Sequence, residues 1–224
     1  PRFGDDVDTP VTQFAGMFEY AWHVWQPREL SPYLPSWPNW DAVRLGRAND
    51  IPAVASQPPV SEVFAETGHA ILRTGGEGGL VAAMTFGSYG GFHGHFDKLG
   101  FVFYGYGREL GVDPGRAASQ AYRLPIHQHW YKATVSHNAV VVNRESQAPV
   151  SGKLELFAAN ANFAAVVATC DQAYAGVSHR RLLLLAPEYL LVLDQLAARG
   201  ECRFDWLYHS RGVVAECGFA TEAI

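Results

Sequence analysis

From residue 60 onward the chain is a succession of short apolar segments, each closed off by glycine, proline or a polar cluster, with almost no helical period. Such a texture folds as strands that reverse on themselves and bury one face against a second sheet. The strand candidates are 69–73, 80–86, 99–104, 109–113, 138–143, 153–158, 163–170, 179–185, 189–193 and 203–209. The first two flank the glycine-rich tip 75–79, which is a hairpin signal. The apolar runs 182–186 and 189–193 flank Pro187 and Glu188 and read as core strands. The expected class is mainly β, a large antiparallel β-sandwich. His69, His179 and His209 lie in strand-like contexts and read as structural, and Arg180 and Arg181 read as solvated.

The first 59 residues have a different character. Thr9 can cap a helix whose first position is Pro10. Val11, Phe14, Ala15, Phe18, Trp22 and Trp25 then form a helical stripe that Pro27 stops. Residues 27–59 hold seven prolines, which predicts an irregular connector with a short helix around 40–47. The expected organisation is a helical tail and proline-rich linker over 1–59, then a β-sandwich domain over 60–224 that is incomplete at its C-terminus. A single helix cannot bury both its faces, so further helices are expected ahead of it.

Charge and cysteine content exclude several classes. With 48% apolar and 17% charged residues, the chain has the composition of a packed domain and not of a disordered one. A net charge of −5 and the lack of any basic run argue against nucleic acid. No run of about 18 apolar residues exists to cross a membrane as a helix. Cys170, Cys202 and Cys217 are an odd number at spacings that match neither a disulfide framework nor a zinc ribbon.

The most unusual segment is Tyr89-Gly-Gly-Phe-His-Gly-His-Phe-Asp-Lys-Leu99. Glycines let its backbone bend, and His93 and His95 alternate within it. Asp113 precedes a Pro-Gly turn, and His137 precedes the valine-rich run 140–142. His95, Asp113 and His137 thus sit near strand ends. Two nitrogen ligands and one oxygen ligand suit Zn²⁺ and leave a fourth position for water. A buried hydrogen-bonded cluster without metal is the simpler alternative. Asp97 reads either as a carboxylate that orients a ligand histidine or as a strand-edge residue. The segment 122–132 is aromatic and basic. In it Arg123 and Lys132 can pair with carboxylates, while Tyr122, Trp130 and Tyr131 can stack on a sugar or donate to it.

The ordered set His-Gly-His-Phe-Asp, Phe-Val-Phe-Tyr-Gly-Tyr-Gly, Val-Asp-Pro-Gly and Ser-His-Asn-Ala-Val-Val-Val-Asn, spread over residues 89–143, resembles the heparinase II/III-like polysaccharide lyases. Weaker similarity runs from about residue 60 to 210. Phe-Gly-Asp-Asp at 3–6 and the first helix resemble the end of the α/α toroid that precedes the sandwich in that family. The resemblance implies a structural zinc held by His95, Asp113 and His137. It also implies a substrate-facing His93 that neutralises or positions a uronate carboxylate, and a general acid and base supplied by the toroid. No segment here carries that toroid motif. The second His-x-His pair, His127 and His129, lies outside the resemblance.

The chemistry explains these needs. The C5 proton of a uronate is weakly acidic, and neutralising the adjacent carboxylate stabilises the charge that develops when it leaves. A base then takes the proton and an acid protonates the departing O4. The expectation is therefore a lyase acting on an acidic polysaccharide, in concert with a helical toroid of the same protein. Alginate is favoured because a sulfated polymer would ask for more Arg and Lys than the 17 present. The alternatives are a non-catalytic carbohydrate-binding module with a structural zinc and, last, a zinc hydrolase, for which no carboxylate base accompanies the ligands.

Overall fold

A computed structural model describes residues 11–35, 37–47, 51, 60–75, 79–117 and 124–212. Thr9, Pro10, the hairpin tip at 76–78, Tyr122, Arg123 and Cys217 lie outside these residues. The chain divides into a unit of residues 8–59 and a unit comprising residues 1–7 and 60–224.

In the smaller unit a 3₁₀ turn, Val11–Phe14, leads into helix α1, Ala15–Trp25, which Gln26 ends in the left-handed conformation. Helix α2, Trp40–Leu45, is capped by the Asn39 side chain, which accepts from Ala42 N at 2.9 Å, and is closed by Gly46 at φ 70°. The apolar stripe of α1 is only partly covered, with Ala15, Phe18 and Trp22 half-buried. Phe14 and Trp25 are exposed, and the one fully buried α1 residue is Glu19. Burial of that carboxylate is offset by Arg47, whose Nη2 lies 2.7 Å away, and by Asn39 Nδ2 at 2.9 Å.

The larger unit is two packed antiparallel sheets. The first is a meander of β1 (Glu62–Phe64), β2 (His69–Arg73), β3 (Val81–Thr85), β4 (Phe101–Gly105) and β5 (Arg108–Gly111). The second has the order β10-β9-β8-β7, from β7 (Lys153–Ala159), β8 (Ala164–Thr169), β9 (Val177–Leu185) and β10 (Leu190–Ala198). Between them β6 (Val140–Val142) pairs with β11 (Phe204–Trp206) as a short ribbon. The core is the shared interior of both sheets, with Ala70, Leu72 and Met84 on one side and Val166, Leu183 and Leu185 on the other. This is the expected antiparallel sandwich, in which each sheet closes the apolar face of the other.

Two strand-level expectations need correction. Arg181 is not solvated but wholly buried. Strict alternation on β9 turns Val177, His179, Arg181, Leu183 and Leu185 inward. Directly across from Arg181 on β10 stands Asp194, which accepts from Arg181 Nε at 2.7 Å and Nη2 at 2.8 Å and from His179 Nε2 at 2.6 Å. Arg180, pointing outward, pairs with Glu155. The run 189–193 is likewise not wholly core. Leu191 and Leu193 are exposed, while Leu190 and Val192 pack on the core.

Candidate functional site

The loop between β3 and β4 carries the His-Gly-His segment. Gly91, at φ 60°, opens a 3₁₀ turn, Gly91–His93. A Cβ on Gly94 would lie 2.5 Å from Gly90 N, so only glycine lets the loop close on itself there. His93 ends up exposed on the turn and His95 fully buried, and the two histidines do not share a face.

Three loops converge around His95. Asp113 follows β5, with its Oδ1 accepting from Gly115 N at 2.9 Å, which fixes the Pro-Gly turn. A π-helical turn, His127–Tyr131, and a 3₁₀ turn, Thr134–Ser136, deliver His137 just before β6. Donor atoms of His95, Asp113 and His137 all lie within 4.8 Å of one another. His137 Nδ1 is 2.6 Å from Asp113 Oδ2, and the His95 and His137 ring centres are 5.3 Å apart. Two imidazoles bound to one tetrahedral zinc have centres about 5 Å apart, given Zn–N bonds of about 2 Å. The donor set and its spacing fit a zinc-like ion. Burial pushes the His137 imidazole down, but the charge and hydrogen bond of Asp113, with Asp97 behind, hold it above its ordinary value.

The frame around the cluster is held by side chains that bond to main chain. Thr134 Oγ1 donates to Phe96 O at 2.6 Å and accepts from Gln147 N at 2.9 Å. Gln147 also pairs both main-chain groups of Lys98, at 2.7 and 2.9 Å. The buried Asn138 donates to Phe101 O and Val112 O and accepts from His209 N at 2.6 Å, which ties His137 to the strands beside it. Arg181 Nη1 reaches Leu99 O at 2.7 Å and Asn138 O at 2.8 Å, so the buried guanidinium clamps both histidine-bearing loops. Leu99 sits at φ 60°, a conformation costly for a side-chain-bearing residue.

Of the remaining candidates, Lys132 donates to Phe92 O at 2.9 Å and lies over the Tyr89 ring, tethering the His93 turn. Trp130 packs edge-on to His209 and is 40% exposed. Tyr131 stacks on His127. Asp97 is buried and paired with the equally buried Lys98 at 3.0 Å. Burial alone would raise its carboxyl, but Lys98, then His137, hold it below the usual range. Sequence reasoning set His127 aside, yet it is buried and edge-on to His95. The signal available was its position in an aromatic run just before His137. No helix among the described residues is long and apolar enough to cross a membrane.

Comparison with known proteins agrees with this architecture. An alginate lyase of Stenotrophomonas maltophilia (strain K279a) is 35% identical over 176 residues, covering 69% of this chain and 24% of that protein. An exo-oligoalginate lyase of Saccharophagus degradans is 39% identical over 74 residues, 30% of this chain and 10% of that protein. A heparinase III structure at 18% identity superposes with a TM-score of 0.77 over 97% of this chain and 32% of its own. Heparan sulfate lyase HepC from Pedobacter heparinus gives 0.68 at 19% identity, over 89% and 30%. The chain therefore spans about a quarter of the curated alginate lyase it matches. The sequence model described as heparinase II/III-like, C-terminal, matches residues 56–222, and the chain belongs to that family.

Proposed function

We propose that this chain is the sandwich portion of a polysaccharide lyase that cleaves a uronic-acid polymer, alginate first among them, by β-elimination. The observation that carries the reading is His93, solvent-facing on a tight glycine turn two residues from the buried His95 cluster. A rigid metal-binding scaffold that holds one exposed imidazole suits the capture of a carboxylate. The names of the two curated relatives favour alginate.

In this account His93 binds the uronate carboxylate and stabilises the charge that develops as the C5–H bond breaks. The C5 electrons form the C4–C5 double bond, the C4–O4 bond breaks, and O4 takes a proton. In this reading the general base and acid come from a helical portion of the longer protein, outside this chain. His95, Asp113 and His137 would hold a zinc ion, whose fixed charge would lock the three loops together. Trp130, Tyr131 and Lys132 are proposed to meet the sugar on its approach. The test is the ultraviolet absorbance of the new C4–C5 double bond, with the full-length protein offered alginate, heparan sulfate, hyaluronan and pectate. A rise on alginate supports the reading. No rise on any polymer from folded, zinc-loaded protein overturns it in favour of a binding module.

A further inference from the structure

The π-helical turn that sets His127 against His95 turns its next two residues, Gln128 and His129, toward a separate cavity of about 510 Å³. That size falls in the range of small-molecule sites. Ala133, Val141 and Leu207 contribute apolar surface, and Arg144, Glu145, Arg203 and Asp205 contribute charge.

Arg144 is the residue least explained by folding. It follows Asn143 in a two-residue turn closed by Glu145 N donating to Val142 O at 2.9 Å. Both corners have positive φ, 52° at Asn143 and 65° at Arg144. Turns of this kind favour glycine at the second corner, so an arginine there is strained. Among the described residues Arg144 makes no hydrogen bond or ion pair, whereas Arg203 is committed to Asp205 at 2.7 Å. The cavity thus offers one uncommitted guanidinium, two carboxylates and an apolar wall. A uronate ring matches all three: its carboxylate pairs with the planar guanidinium, its hydroxyls donate to the carboxylates, and its C–H face lies on the apolar wall.

We propose that this cavity is a second sugar subsite, which holds one uronate residue of the acidic polymer through Arg144. The inference rests on the reading of the protein as acting on a uronate polymer. Its test is a titration of the full-length, zinc-loaded protein with mannuronate monosaccharide, followed at the methyl resonances of Val141 and Leu207, with glucose as the neutral control. Mannuronate should shift both methyls and glucose should not. Arg144→Gly, which removes the guanidinium and relieves the turn, should weaken that binding about tenfold or more while the melting temperature holds or rises. Wild-type affinity in Arg144→Gly, or no mannuronate response in the wild type, overturns the subsite. Loss of the response in Arg144→Gly upholds it even if no polymer is cleaved, in which case the lyase reading fails alone.

Discussion

Asp194 shows what one residue holds together. It accepts from Arg181, His179 and Trp206 Nε1, the last at 2.9 Å, and so joins β9, β10 and β11. Burial alone would raise its carboxyl, but the hydrogen bonds from His179 and Arg181, then their charges, hold it well below the usual carboxylate range. A carboxyl depressed in the folded state stabilises the protein above its unfolded value of about 4, and loses that contribution as the pH falls below it. Asp194→Asn should therefore destabilise the protein by about 3 kcal/mol in urea unfolding at pH 7, because Arg181 is left buried and unpaired. The gap from wild type should narrow below about pH 4, and a pH-independent gap would contradict the account. Cys170 is a second residue-scale case. Burial pushes its thiol up to about 11, so at pH 8 iodoacetamide should label Cys202 and leave Cys170 untouched until unfolding. At this scale the grouping of His95, Asp113 and His137 was an expectation of the family resemblance, and the structure does bring the three together. The burial of Arg181 was not legible, since its partner stands on another strand and charge in a sequence reads as surface.

Among the elements, the loops matter more than the strands. The segment 89–99 is not held by a ladder of its own; it hangs on Thr134 and Gln147, which bond to its main chain. Thr134 is wholly buried, and its hydroxyl both donates and accepts. Thr134→Val should cost about 1–3 kcal/mol in urea unfolding and lower the zinc bound per chain measured by elemental analysis. Full zinc occupancy in that variant would show that the loop is fixed by other means. The strands themselves were legible from apolar alternation, and β2 spans the residues expected. The sequence reading ended β10 at residue 193, but it runs to Ala198, paired along the whole length of β9. The apolar signal stops at Asp194 and the strand does not, because the buried pair with Arg181 substitutes for apolar packing there. The bend at His93 was legible from its glycines, but its form, a 3₁₀ turn in which Gly90 and Gly94 close against each other, was not.

For the whole molecule, the sandwich is a rigid base that brings three loops to one point. Zinc binding there should be coupled to folding, because the site exists only in the folded chain. Chelation of the metal should lower the melting temperature by several degrees, consistent with about 3–4 kcal/mol of linkage when the metal is at about a hundred to a thousand times its dissociation constant. An unchanged melting temperature would remove zinc from the account. The sandwich class was legible in the texture of the chain beyond residue 60, whereas the general acid and base, which the proposal places outside this sequence, were not. The central claim is that His93 acts on the uronate while the buried cluster beside it only holds the loop in place. The most direct measurement compares wild type with His93→Ala in the full-length protein on alginate, reading the C4–C5 absorbance at matched zinc content and melting temperature. The account predicts a loss of about a hundredfold or more in kcat with zinc and stability unchanged. Turnover within a factor of about two of wild type would contradict it.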